Sequence, residues 1–238
     1  MSAARGGRAG VRTVSSRAAP RLTVFDLDHT LLAGDSDVLW CDFLMARGVL
    51  DRAAFAARNA DMEARYRAGS VGVQEFAEFY VGTLAGRSPA EWEPLRQEFL
   101  ASEIVPRIPA AAVAAVQRHL DAGDLVVMST ATNRFLTELT ALYFEIEHLI
   151  ATEPALAGGR FSGTTTGVLN MREGKPRRLE DWLRARGLAL AGCRSCAYSD
   201  SINDLPLLEA VDEPIAVDAD PRLAALAAQR GWRQISLR

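Results

Sequence analysis

The run Leu22-Thr23-Val24-Phe25 reads as a core strand, yet it ends in Asp26. One leucine further on stands a second aspartate, Asp28, followed by His29 and Thr30. Two carboxylates at the end of a buried strand repel each other and resist leaving water, so the pair requires a cation. Two other apolar runs end in polar groups of the same kind. Leu125–Met128 leads into Ser129-Thr130-Ala131-Thr132-Asn133, and Cys196-Ala197-Tyr198 leads into Ser199-Asp200, with Asn203 and Asp204 just beyond. Lys175, in the stretch REGKP, opens a helical pattern. Oxygen donors, hydroxyls and one lysine suit phosphoryl transfer: a site for Mg²⁺, an anionic nucleophile, and positive charge for the phosphoryl oxygens.

The residues divide by role within that chemistry. Asp26 ends the strand and is the expected nucleophile; an aspartyl-phosphate on it would split hydrolysis into two easier steps. Asp28 is expected to protonate the leaving oxygen and then to activate water. Thr130 and Lys175 would hold the transferring phosphoryl oxygens, with Ser129 as the alternative hydroxyl. Asp26, Asp28 and Asp200 are the expected Mg²⁺ ligands, supported by Asn203 and Asp204 one helical turn on. Taken singly, Asp28 and Asp204 read equally well as caps or turn formers, and Lys175 as a solvated surface charge. His29 is expected to be a turn residue, since Mg²⁺ prefers oxygen.

The hydrophobic pattern shows what must bring these groups together. Residues 22–26, 125–129, 148–152, 196–200 and 214–218 read as strands, separated by helical patterns with apolar spacings of three and four. Gly123, Gly187 and Gly231 follow helical runs as stops. Alternation of this kind predicts an α/β fold with a doubly wound parallel sheet, whose ligands bind outside the carboxyl ends of the strands. Residues 37–108 break the rhythm with several helical patterns and no strand, which predicts an inserted helical cap between core segments 21–36 and 109–238. The cap begins just after the aspartate-rich turn, where it could act as a lid. Residues 159–170, rich in glycine and threonine, predict a β-hairpin.

With its strand context, the ordered set DLDHTLL, STATN, GK and YSDSINDLPLL resembles the four motifs of the haloacid dehalogenase-like (HAD) hydrolases, across residues 22 to about 218. The helical insertion is similar to the cap of their phosphoserine-phosphatase-like branch. The resemblance implies a Rossmann-like core, a phosphatase activity, and metal ligation by the backbone carbonyl of Asp28. In phosphoserine phosphatases of that branch a glutamate stands nine residues after the nucleophile, where this chain has Asp35, and a cap arginine meets the substrate carboxylate. The matching stretch QEFAEFYVGTL has no arginine, which leaves Arg65 or Arg67 as the substitute. The motif style also resembles proteins assigned as histidinol-phosphate phosphatases, whose substrate would offer an ammonium to Asp35 and an imidazole to the cap aromatics. Asp35, Ser129, Asn133 and Arg65 are therefore the candidate substrate contacts. Trp40, Phe76, Phe79 and Tyr80, at helical spacing, are expected to be cap core.

Composition bounds the alternatives. The chain has 238 residues, 49% of them hydrophobic, and a formal net charge of −3. No concentrated basic face for nucleic acid is expected, and no apolar run approaches the ~20 residues of a membrane span. The partner is expected to be a small phosphate ester. Three cysteines, Cys41, Cys193 and Cys196, fit a reducing cytoplasm, and the C-x-x-C spacing of the last two lacks the second pair of a zinc site. Residues 1–20, with four arginines and no acidic residue, are expected to be a disordered arm. A phosphotransferase using the same aspartate is the competing activity; release of free phosphate separates the two.

Overall fold

The computed structural model describes residues 19–67 and 71–238, without the side chains of 63, 64, 66 and 67. The expected arm thus falls almost wholly outside the described residues, and so does the side chain of Arg67.

Seven strands form one sheet in the order β4-β3-β2-β1-β5-β6-β7. They are β1 (Arg21–Phe25), β2 (Leu125–Asn133), β3 (His148–Ala157), β4 (Arg160–Thr166), β5 (Arg194–Ser199), β6 (Glu213–Val217) and β7 (Arg233–Ile235). All pairings are parallel except β3 with β4. The apolar runs at 22–26, 125–129, 148–152, 196–200 and 214–218 lie in β1, β2, β3, β5 and β6. The hairpin is displaced from expectation: its first strand is the outer half of β3, the turn lies at Gly158-Gly159, and only β4 falls within 159–170. The short edge strand β7 gave no apolar signal, because its residues are largely exposed.

Alternation along the strands divides the interior. Phe25, Met128, Tyr198 and Ile215 face one cluster, and their neighbours Val24, Val127, Ala197 and Ala216 face the other. The second face is covered by α7 (Gly174–Arg184), α8 (Leu205–Leu208) and α9 (Pro221–Arg230), through Leu179, Leu183, Leu207, Leu208, Leu223 and Ala227. The first is covered by α5 (Ala110–Asp121) and α6 (Arg134–Tyr143), together with part of the helical insertion. Cys193 belongs to one cluster and Cys196 packs against the other, so the C-x-x-C pair straddles the sheet, and burial pushes both thiols up.

The described residues between 37 and 108 form the helices α1 (Ser36–Ala46), α2 (Arg52–Arg67), α3 (Val73–Val81) and α4 (Pro89–Phe99), with no strand among them. A capping box at Ser88 and Glu91 starts α4. Trp40, Phe43, Trp92 and Phe99 join Phe25 and Leu27 in one cluster, whereas Cys41, Phe55 and Tyr80 form a separate one with Phe76 and Phe79 at its edge. The β3–β4 hairpin braces this insertion. Gln74 Nε2 donates to Thr165 Oγ1 at 2.7 Å, and two backbone bonds link Phe161 to Gly86 and Arg87. No single helix among the described residues is long and apolar enough to cross a membrane.

Asn170 ties the centre of the sheet to the segment that delivers Lys175. It is fully buried, and its Nδ2 lies 3.0 Å from Ser129 Oγ and 2.9 Å from the carbonyls of Thr130 and Ile150. Asn170→Ala removes these buried hydrogen bonds, so it should lower the unfolding free energy by about 2 kcal/mol. Urea titration should show a lower midpoint with an unchanged slope; an unchanged midpoint would show that the clamp adds nothing.

Candidate active site

Between β2 and β5 the chain crosses from one side of β1 to the other, which makes the carboxyl ends of β1 and β5 a topological switch point. Asp26 and Asp200 stand there. The Asp26 N–H still donates to the Tyr198 carbonyl at 3.0 Å, so the first residue past β1 is held in register with its neighbour strand. Next the chain turns sharply. The N–H groups of Thr30, Leu31 and Leu32 all converge on the Leu27 carbonyl, and His29 takes a φ of 56°.

That turn carries Thr30 back beneath Asp26. Thr30 Oγ1 lies 3.0 Å from Asp26 Oδ2 and accepts the N–H of Asp200 at 3.0 Å, linking the two strand ends. From the other side, Lys175 Nζ donates to Asp26 Oδ1 at 2.7 Å and to Asp204 Oδ2 at 2.6 Å. Burial opposes the charge on Lys175, but Asp204 and Asp26 outweigh it and raise its pKa, so the lysine stays an ammonium. Gly174 places Lys175: a Cβ there would stand 1.9 Å from the Leu169 carbonyl oxygen, which no side chain tolerates.

Asp28 is oriented differently. Its Oδ1 accepts the Ser36 N–H at 2.7 Å, and its Oδ2 lies 2.9 Å from Thr132 Oγ1. Thr132 Oγ1 is also 3.2 Å from Asp37 Oδ2. One hydroxyl has one proton, so if it serves Asp28, the Asp37 carboxyl must bring its own. Burial, with Asp35 and Asp28 close by, indeed pushes Asp37 well above the usual carboxylate range. Burial also lifts Asp26 to about 7 despite the pull of Lys175, Asp28 to about 6 with Asp35 adding to the effect, and Asp200 to about 8 with Asp26 adding.

These groups line a cleft of about 220 Å³ whose wall holds six aspartates, one lysine, His29 and Phe76 from α3. A larger cavity, about 530 Å³, opens at the amino ends of the strands beside Arg21, His119 and Asp124. There His119 lies 2.6 Å from Asp124 and 2.8 Å from the Tyr198 hydroxyl. The convergence of carboxylates and lysine at the strand ends belongs to the smaller cleft.

The haloacid dehalogenase-like hydrolase family matches residues 23–209. A histidinol-phosphatase of Neisseria meningitidis serogroup C is 37% identical over 213 residues, covering 89% of this chain and 96% of that protein. The chain belongs to the haloacid dehalogenase-like hydrolases. A phosphoserine phosphatase of Mycobacterium tuberculosis is 32% identical over 87% of this chain and 68% of its own length. A Bordetella pertussis Tohama I structure of unknown function shares 45% identity, with a TM-score of 0.89 over 93% of this chain and 100% of that one. A substrate-bound phosphoserine phosphatase has the same fold at a TM-score of 0.65 and 15% identity, covering 93% of this chain and 95% of that one. With these relatives, the chain is a phosphatase of the HAD family.

The structure brings together Asp26, Asp28, Asp35, Lys175, Asp200, Asn203 and Asp204, all of which line the cleft of this HAD enzyme. Asp35 also caps α1, accepting the Val38 N–H at 3.0 Å. Asp204 Oδ2 accepts from Lys175 and from the Ser199 hydroxyl, 2.7 Å away, so Asp204 anchors the lysine beside Asp26. The expectations for Ser129, Asn133, Arg65 and Thr130 require correction. Ser129 is turned to Asn170, and Asn133 caps α6 by accepting the Leu136 N–H; both are buried and neither lines the cleft. Arg65 lies outside the cleft in α2, 2.8 Å from Glu75. The Thr130 hydroxyl is fully buried, 3.2 Å from the Thr132 N–H and 3.5 Å from Asp28 Oδ2, while Thr132 reaches the cleft wall. Among the expected cap-core aromatics, Trp40 and Tyr80 are buried, but Phe76 faces the cleft. Sequence reasoning assigned no role to Thr30, Asp37 or Thr132. The D-x-D-x-T spacing signals the first, and Thr132, two residues beyond Thr130 at strand period, was open to the same reasoning.

The fit to Mg²⁺ follows from the donors. Among the described residues no three acidic, histidine or cysteine side chains form a ready cage. Asp28 points its carboxylate at Ser36 and Thr132, which leaves Asp26 and Asp200 meeting at Thr30. Two carboxylate donors, with room left for water and substrate oxygens, suit Mg²⁺ better than Ca²⁺ or Zn²⁺.

Carboxyls with raised folded-state pKa values retain protons that the unfolded chain has already released. Their contribution therefore falls as pH rises from about 4 towards the folded value of about 8 for Asp200. In chelator, the melting temperature should be lower at pH 8 than at pH 5, and Mg²⁺ should raise it more at pH 8. Equal Mg²⁺ shifts at both pH values would contradict this assignment.

Proposed function

We propose that this enzyme is a Mg²⁺-dependent phosphomonoesterase acting through an aspartyl-phosphate on Asp26, with L-histidinol phosphate as its substrate. The observation that carries the reaction class is the Asp26 carboxylate, buried at the switch point and fixed between Lys175 and Thr30.

Asp26 attacks phosphorus as the ester P–O bond breaks, and the leaving alkoxide takes a proton from Asp28. A carboxyl near 6 can hold that proton at neutral pH and still give it up. Water then attacks the phosphoryl group, Asp28 recovers a proton from it, and inorganic phosphate leaves with Asp26 restored. Lys175 stays charged throughout and stabilises phosphoryl oxygens beside Asp26. Bound Mg²⁺, held by Asp26, Asp200 and the Asp28 backbone carbonyl, would neutralise carboxylate and phosphoryl charge.

Charge supports the substrate. Six aspartates and one lysine line the cleft, and among the described side chains no arginine does. A phosphate ester brings further negative charge, so a leaving group carrying an ammonium fits this wall and one carrying a carboxylate does not. Asp35 and Asp37 are the acidic groups farthest along the turn from Asp26, and Phe76 brings an aromatic ring to the wall for an imidazole. The Neisseria relative's name agrees with this reading, and the Mycobacterium relative supports phosphoserine as a second one.

Asp26→Asn should lower kcat at least about a hundred-fold with the fold intact, because an amide cannot attack phosphorus. Near wild-type turnover by that variant would remove Asp26 as nucleophile. Excess chelator should abolish activity and added Mg²⁺ restore it; full activity in chelator would exclude the metal.

L-histidinol phosphate should exceed L-phosphoserine in kcat/KM by about a hundred-fold or more, since an unpaired carboxylate in this cleft costs a few kcal/mol. Asp35→Asn should erode that preference while keeping the helix cap, because asparagine caps as well as aspartate. Equal turnover of the two esters would refute the substrate and leave the phosphomonoesterase standing.

A further inference from the structure

The turn that carries Asp28 and Thr30 is gripped from outside the cleft. After β7 the chain comes back towards β1. The Leu237 N–H donates to Asp218 Oδ2 at 2.9 Å, and the Leu237 side chain is buried in the same cluster as Leu27, Leu31 and Leu32. Arg238 follows. Its guanidinium donates to the carbonyl of His29, and also to those of Thr30 and Leu32, each at 3.3 Å. Among the described backbone bonds outside helices and strands, none ends on the His29 or Thr30 carbonyl.

From this geometry we infer that Arg238 is a positioning residue for the reaction: its planar fork gathers the carbonyls of His29, Thr30 and Leu32 and so fixes the nucleophile turn. A fork of five N–H donors can serve several converging carbonyls, which a lysine ammonium serves less well. The same turn holds His29 at a φ of 56°, a conformation that costs energy in a residue other than glycine. Two catalytic settings depend on the turn. Thr30 Oγ1 aligns Asp26 and the Asp200 backbone, and the path of residues 29–36 sets where Asp28 meets Ser36. Arg238 touches neither Asp26 nor substrate, so it acts through the turn. Displacing catalytic groups by a fraction of an ångström lowers kcat far more than it weakens ground-state binding. The inference rests on Asp26 chemistry being the activity of the cleft.

The test uses the full chain with Mg²⁺ and p-nitrophenyl phosphate, and compares Arg238→Ala, Arg238→Lys and wild type. Arg238→Ala should lose about ten-fold in kcat with KM changed less than about three-fold, and Arg238→Lys should fall between. Because the Arg238 side chain is 32% exposed, its vacated place is open to solvent, and millimolar guanidinium should restore part of the lost kcat to Arg238→Ala but not raise wild type. Hydrogen exchange should show faster exchange in 28–34 for Arg238→Ala, with β5 unchanged. An Arg238→Ala enzyme within about two-fold of wild-type kcat, or one slowed without faster exchange in 28–34, overturns the inference. A global rise in exchange in both variants also overturns it, because Arg238 would then serve the fold at large. A wild-type enzyme that hydrolyses no ester would instead defeat the proposed function, and the exchange comparison would still decide whether Arg238 holds the turn.

Discussion

Lys175 sits between two buried carboxylates, 2.7 Å from Asp26 and 2.6 Å from Asp204, at a point reached by three separate segments of the chain. Taking these charges out of water is costly, and the mutual attraction recovers that cost only when every partner is in place. Removing one partner would leave a buried unpaired charge, a loss of about 3–5 kcal/mol in comparable cases. The arrangement is therefore demanding of its surroundings. Gly174 must lack a side chain, Asn170 must pin the preceding segment, and Ser199 must donate to the same Asp204 oxygen, Oδ2, that Lys175 holds. What the fold obtains is a carboxylate that cannot turn away from the cleft and a neighbouring positive charge that cannot titrate.

The two aspartates of the first motif differ because their partners differ. Asp26 is bound to an ammonium and a threonine hydroxyl, an environment that leaves it anionic when the cleft holds its cations. Asp28 is bound to a backbone N–H and a hydroxyl, beside the charge of Asp35, and burial brings it to about 6. Two groups of one type, two residues apart, thus meet different partners, which supports the different parts proposed for them. The alternation of the strand supplies the first direction and the tight turn after it the second. The turn is as much a part of the site as the carboxylates.

Much of this was legible in the sequence because it depends on local rules. Strand ends, helix starts and the D-x-D-x-T spacing are recorded in neighbouring residues, so the sheet, the covering helices and the positions of Asp26, Asp28, Lys175 and Asp200 could be read directly. The errors share a cause. Ser129, Asn133 and Arg65 carry suitable groups at suitable places in the sequence, but each is used by a partner distant in sequence or by a helix end: Asn170, the start of α6, and Glu75. Pairing of that kind is set by tertiary contact, which no spacing rule reports. Asp37 went unassigned and Phe76 was placed in the cap core for the same reason, since only the placement of α1 and α3 over the strand ends brings them to the cleft.

The central claim is that Asp26, not Asp28 or Asp200, receives the phosphoryl group. Borohydride reduces an acyl phosphate to the alcohol, so quenching the enzyme during turnover and mapping the peptides by mass reports the phosphorylated carboxylate. The account predicts homoserine at position 26, dependent on substrate and Mg²⁺, with Asp28 and Asp200 unmodified. Homoserine at 28 or 200, or its absence from all three during sustained turnover with reduction shown to outpace hydrolysis, would contradict it.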